Sequence, residues 1–132
     1  MATATESRLQ AKTVSASLTV DDLQQSITFF ERLGFAVSDR WEEHGQLLGV
    51  MLSAGGASIG LNQDDWKKGR GRQKGVGMRL FIETQQDVDQ IASRARTAGL
   101  TLDSEPHDTE WKGRAFEVTE PSGFRITIMS EM

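Results

Sequence analysis

The 132-residue chain predicts an α+β fold built from two βαβββ modules. Three observations point there. A strand, a helix and a closing glycine recur in the same order in each half. Each half also ends on a strand led by glycine. Apolar residues in these strands fall on alternate positions, so each strand carries one oily and one polar face.

In the first half, Ser17-Leu18-Thr19-Val20-Asp21 alternates as a strand. Asp22 follows as an N-cap, with Gln25 three residues on as its capping partner. Leu23, Ile27, Phe30 and Leu33 recur at helical spacing. Gly34 stands where a helix C-terminal glycine belongs, and Phe35-Ala36-Val37 starts the next strand. In the second half Met78, Leu80 and Ile82 alternate, and Thr84 or Gln85 opens a helix. Val88, Ile91, Ala92 and Ala95 mark its buried stripe, Gly99 closes it, and Leu100-Thr101-Leu102 resumes a strand. Leu18 and Leu80 stand 62 positions apart, as do Val20 and Ile82, whereas Gly34 and Gly99 stand 65 apart. That offset predicts a second helix about one turn longer.

Gly55-Gly56 precedes the strand Ser58 to Asn62, and Ser122-Gly123 precedes the strand Arg125 to Met129. The remaining strands are Ala36–Trp41 with Leu47–Leu52, and Leu100–Pro106 with Arg114–Thr119. Residues 1–12 read as a flexible N-terminal tail and 13–132 as a single domain, with module 1 at about 13–63 and module 2 at about 75–130. The joint from Asp64 to Gly75 holds Lys67, Lys68, Arg70, Arg72 and Lys74 among glycines. It misses the dinucleotide-binding glycine spacing and precedes a strand rather than following one. It reads as a solvated linker, with an anion-contacting loop as the alternative.

Hydrophobic residues make up 37% and charged residues 26% of the chain, a globular composition. There is no cysteine, which excludes disulfides and thiolate zinc sites. No apolar run reaches the ~20 residues that cross a bilayer. A net charge of −4 gives no pull toward nucleic acid. The segment from Met1 to Lys12 lacks the basic start and apolar centre of a secretion signal, so a cytoplasmic protein is expected.

Several segments carry a resemblance. Ser17 to Phe30 is similar to the first strand and helix of the vicinal oxygen chelate superfamily, which groups glyoxalase, bleomycin resistance protein and extradiol dioxygenases. Leu33-Gly34-Phe35 resembles its helix exit. Trp111-Lys112-Gly113-Arg114, followed by Glu120-Pro121-Ser122-Gly123-Phe124-Arg125-Ile126, resembles its W-x-G-r and D-P-x-G endings, with Glu in place of the usual Asp. The resemblance spans about residues 13 to 130. It implies an eight-stranded curved sheet or half-barrel cup with the helices outside, and pairing of two chains in many members.

Strand parity assigns the faces of that cup. Val14, Ala16, Leu18, Val20, Ile59, Leu61, Met78, Leu80, Ile82, Ile126 and Ile128 turn toward the helices. Ser15, Ser17, Thr19, Ser58, Gly60, Asn62, Gly77, Arg79, Phe81, Glu83, Arg125, Thr127 and Met129 turn inward. Enzymatic members of the family place one metal ligand on each of four inward strands. Those places fall here on Ser15, Gly60, Gly77 and Thr127, none a credible ligand for a divalent transition metal. His44 falls in a turn, Glu42 to Gly45, and His107 in a loop before Trp111. No metal or other cofactor is therefore expected. Nucleophilic catalysis has no cysteine and no G-x-S-x-G serine to work with.

These residues predict a metal-free binder of a small organic molecule, one that sequesters an antibiotic or metabolite and pairs with itself as a homodimer. The expected ligand-binding residues are Ser15, Ser17, Trp41, Asn62, Arg79, Phe81, Trp111, Arg125 and Thr127. Trp66, in the linker, is a third indole outside the core. Arg79 and Arg125 favour an anionic or carbonyl-rich ligand, while Asp103, Glu105, Asp108 and Glu110 favour a cation. An internal salt-bridge set is the other expectation for Arg79, Arg125 and Glu83. Two alternatives stand beside the binder: a lyase or dioxygenase with a non-standard metal site, and an accessory subunit whose cup is structural.

Overall fold

A computed structural model describes residues 8–131. Residues 1–7 of the predicted tail lie outside the described residues, and residues 8–15 lead in without helix or strand. The elements then run β1 (Ala16–Val20), α1 (Leu23–Leu33), β2 (Ala36–Glu43), β3 (Gln46–Ala54), β4 (Ala57–Gln63), β5 (Arg79–Glu83), α2 (Val88–Thr97), β6 (Ser104–Asp108), β7 (Gly113–Thr119) and β8 (Arg125–Glu131). They form two four-stranded sheets of identical design, β1-β4-β3-β2 and β5-β8-β7-β6. In each, one parallel pair is followed by two antiparallel pairs. This is the expected α+β fold of two βαβββ modules, and the sheets do not close into a barrel.

The core lies between sheets and helices. Leu18, Val20, Val50, Leu52, Ile59 and Leu61 bury under α1, and Phe116, Val118, Ile126 and Ile128 under α2. Phe30 is fully buried and meets Phe29 and Phe35 edge-on, at 5.2 and 5.4 Å between ring centres. Helix α2 buries only Val88, Ala92 and Ala95. The two helices touch each other across the module boundary.

Several boundaries differ from the sequence reading. Helix α2, at 10 residues, is not longer than the 11-residue α1. The three extra positions lie instead between β5 and α2, where Thr84 Oγ1 accepts from the Gln86 N–H at 3.1 Å and holds a turn. The N-cap is therefore Asp87, not Thr84 or Gln85. Asp22 caps α1 as expected, accepting from the Gln25 backbone N–H at 3.1 Å. The neighbouring Leu23 N–H is taken by Gln63 Oε1 at 2.9 Å, so the end of β4 completes the cap.

Leu100 to Leu102 form no strand; both leucines pack half-buried against the core, and β6 starts at Ser104. His107 consequently lies in β6, not in a loop. Val14 is not under the helix: it precedes β1 and is 90% exposed. Met78, 40% exposed, precedes β5. His44 and Gly45 do form the turn between β2 and β3, both at positive φ.

The linker is not a freely solvated segment. Asp64 is buried and holds Lys74 Nζ at 2.9 Å and Arg72 Nη2 at 2.8 Å. Lys74, its side chain only 5% exposed, also pairs with Asp21. Trp66 lies beneath the cationic groups of Arg70 and Lys74, each 4.7 Å from its ring. The bond from Lys74 and the Trp66 backbone N–H hold the Asp64 carboxyl down at about 2, against the opposing effect of burial. Burial by itself would lower the Lys74 pKa; the bonds to Asp21 and Asp64 outweigh it and leave it raised. Arg72 and Lys74 of the joint thus clasp together the ends of β1 and β4 through Asp21 and Asp64.

Candidate functional site

The inward face of module 2 is built on the parallel register of β5 and β8, which sets Arg79 beside Arg125 and Phe81 beside Thr127. Arg79 is not free. Its Nη1 donates to Glu117 Oε2 at 2.7 Å and to the buried Thr127 hydroxyl at 3.1 Å. Glu117, on β7, also accepts from Ser104 at 3.3 Å. An internal ion pair was one expectation for Arg79, but its partner is Glu117 and not Glu83. Arg125 is exposed, and its side chain has no hydrogen bond or ion pair among the described residues. Phe81 is 60% exposed on the same face.

Arg79 and Arg125 open onto a cleft of about 820 Å³, walled by residues 72–78 of the linker and by Ser122 and Gly123. Val76 and Met78 add exposed apolar surface to the same cleft. The wall stands close because two glycines meet there. A Cβ on Gly75 would sit 2.5 Å from the Gly123 carbonyl oxygen, and one on Gly123 would sit 2.7 Å from that of Lys74. Both residues hold positive φ, which favours glycine.

Module 1 presents a different inward face. Asn62 Nδ2 donates to Ser17 Oγ at 2.6 Å. Cross-strand register aligns Asn62 with Gly49 and Gly49 with Trp41. The Trp41 indole fills the space above Gly49: a Cβ there would lie within 2.5 Å of three of its ring atoms, Nε1 included. Trp41 remains 39% exposed. The cleft of about 820 Å³ takes no lining residue from this face.

The structure therefore brings together Arg79, Phe81, Arg125 and Thr127 on one module, and Ser17, Trp41 and Asn62 on the other. Ser15 precedes β1 and is exposed. Trp111 lies in the turn between β6 and β7, 62% exposed, and does not line the cleft. Trp66 is occupied by its own cations. The acidic stretch is largely paired: Glu105 with Arg96, Asp108 with Arg114, and Asp103 with the Thr119 hydroxyl. Glu117 and Gly49 were missed in the sequence. The parity of β7 would have put Glu117 on the inward face, but nothing in the sequence pairs it with Arg79.

Glu120, the residue standing where the family motif has Asp, is 1% exposed. It accepts from Ser26 of α1 and from the Ser122 N–H, so it joins the β7–β8 turn to the other module. Burial raises its pKa, against the lowering effect of those bonds.

The inward positions where a metal would be held do not fit one. Gly60 and Gly77 carry no donor, Ser15 and Thr127 only neutral hydroxyls, and Gly77 lies in the turn before β5. No cluster of three His, Cys, Asp or Glu side chains suited to a metal occurs among the described residues.

The family model of the Glyoxalase/Bleomycin resistance protein/Dioxygenase superfamily matches residues 12–128. No curated protein matches the chain by sequence. Its fold is similar to that of TioX from Micromonospora sp. ML1, at TM-score 0.73 and 18% identity over 92% of this chain and 100% of that one. It is also similar to a glyoxalase/bleomycin resistance protein/dioxygenase from Nocardioides, at TM-score 0.67 and 18% identity over 97% and 89% of the two chains. Virulence protein STM3117 from Salmonella typhimurium gives TM-score 0.69 at 20% identity, over 95% and 100%. Identities this low establish a shared fold alone.

Proposed function

This chain belongs to the glyoxalase/bleomycin resistance protein/dioxygenase superfamily, and from that premise we propose that it is a metal-free binder of small organic anions. The observation that carries this reading is Arg125. It is an exposed guanidinium with no partner among the described residues, lining the cleft of about 820 Å³ on the face that also exposes the ring of Phe81. A guanidinium fork matches a carboxylate or a carbonyl-rich group, and an aromatic ring adds contact area for a planar one. The local balance supports an anion over a cation, because Glu117 is spent on Arg79 while Arg125 has no partner among the described residues. Sequestration of an antibiotic or metabolite is the role this chemistry serves.

The protein acts as a homodimer in this reading. Strands β1 and β2, and β5 and β6, are the outer strands of their sheets, and outer strands leave an edge open to pairing. A second copy would set one inward face against another and enclose the ligand. Light scattering that returned a 14.6 kDa particle at micromolar concentration would contradict the dimer.

Titration calorimetry with aromatic carboxylates tests the site. Arg125→Ala is expected to weaken binding by about 1–3 kcal/mol, the scale of a hydrogen bond to a charged group. Unchanged affinity would remove the anion site from this cleft. Elemental analysis finding one tightly held transition metal per chain would replace the binder with a metalloenzyme.

A further inference from the structure

The inward face of module 1 has no charged partner for an anion, yet it is not blank. We infer that Trp41, Asn62 and Gly49 form a second ligand subsite, for a planar ring bearing an N–H donor, and that Gly49 is the residue that positions it. The inference rests on the proposal that the inward faces bind ligand.

Gly49 lies mid-strand in β3 and is buried, where glycine is intrinsically unfavourable. Its missing side chain is the space the Trp41 ring occupies. Any larger residue at 49 would drive the indole off the sheet. Such a pair also stabilises a sheet, since an aromatic covers the bare backbone of a cross-strand glycine. Three features exceed that structural role. The indole keeps 39% of its surface exposed on the inward face. Its N–H has no acceptor among the described residues. Asn62, across Gly49 in register, commits its Nδ2 to Ser17, which leaves its carbonyl oxygen free to accept. A ring surface beside an open amide acceptor suits a planar heterocycle whose N–H points at Asn62.

The test uses orotate, a planar heterocycle with ring N–H groups and a carboxylate, against its 1,3-dimethyl analogue, which keeps ring and charge but has no N–H. Binding is followed by the indole N–H resonances of the 15N-labelled protein, assigned with Trp41→Phe, Trp66→Phe and Trp111→Phe. Orotate is expected to shift the Trp41 resonance and to bind at least tenfold more tightly than the dimethyl analogue. Asn62→Ala should abolish that preference. Gly49→Ala should weaken orotate about as much as Trp41→Ala does, and the two together no further. Trp41→Phe keeps an aromatic over Gly49, so it covers the case in which Gly49→Ala fails to fold; it should retain stability but lose part of the affinity. Equal binding of the two compounds, or unchanged affinity in the Trp41 variants while Arg125→Ala weakens it, overturns this subsite and leaves the anion site standing. No binding of either compound at 20 mM, on the order of the weakest fragment affinities, overturns both.

Discussion

The two modules share one topology and almost nothing of their inward faces. Along α1 the buried residues are large: Leu23, Ile27, Phe30 and Leu33. The residues 65 positions later are Val88, Ala92 and Ala95 in α2 and Ala98 at its C-cap. Inward, module 1 offers hydroxyls, an amide, an indole and two glycines, whereas module 2 offers a guanidinium, an ion pair and a phenyl ring. The sheet-to-helix side must exclude water, so both modules solve it with aliphatic and aromatic packing of different bulk. The inward side stays partly open to solvent, as Phe81 and Trp41 show, so its side chains are not fixed by close packing.

The contrast between helices is broken most severely at Phe30. Phe30→Ala should cost about 3–5 kcal/mol in chemical denaturation, through lost burial and the cavity left between Phe29 and Phe35. Its counterpart Ala95 calls for the reverse change. Ala95→Leu should overpack the α2 interface and cost about 1–3 kcal/mol. If Ala95→Leu instead stabilises the protein, α2 is loosely seated and the modules are less alike in packing than their topology suggests.

Glu120 sharpens the boundary between modules. Glu120→Ala leaves the Ser26 hydroxyl and the Ser122 N–H without their acceptor and should cost about 1–3 kcal/mol. Glu120→Gln keeps an acceptor and removes the buried charge, so it should be milder. The sign with pH follows from the raised pKa. The protonated form is favoured in the fold, so this contribution is fully present below the ordinary value of 4.5 and is lost as pH rises through the folded value. Denaturation curves for Glu120→Gln should therefore gain on the parent protein between acid and neutral pH.

The linker clasp has the opposite sign. Asp64 titrates at about 2 in the fold against an ordinary 3.8, so its ion pairs are at full strength above about 4 and fade as pH falls through 2. Lys74 titrates above its ordinary 10.5, so its contribution holds below that value and is lost as pH rises past the raised one. Asp64→Asn should flatten the acid limb of a stability-against-pH curve, and an unchanged limb would return the joint to a passive linker. The smallest effect belongs to Arg125. As an exposed, unpaired residue it should change stability by no more than about 0.5 kcal/mol when replaced by alanine, while ligand binding falls.

Element order was legible in the sequence because burial imposes periods of 2 and 3.6 on the spacing of apolar residues. The caps of α1 and the turn at His44-Gly45 were legible too, since their chemistry is local. The misplaced helix start at residue 84 came from counting an offset between halves without knowing whether helix or loop absorbed it. The site was only half legible. Parity placed Arg79, Phe81, Arg125 and Thr127 on one face, but the partner of Arg79 is 38 residues away on a strand that never adjoins β5.

By itself the sequence determined two βαβββ modules and an oily face on β1, β4, β5 and β8. Those follow from residue type and spacing, which act over a few bonds. Only the tertiary structure decided which charges are spent and which are free. It folded the basic joint onto Asp64 and Asp21, tied Arg79 to Glu117, laid Trp41 over Gly49 and left Arg125 open. Charge pairing falls off over a few ångströms, and residues distant in the chain come within that range only once the sheets have formed.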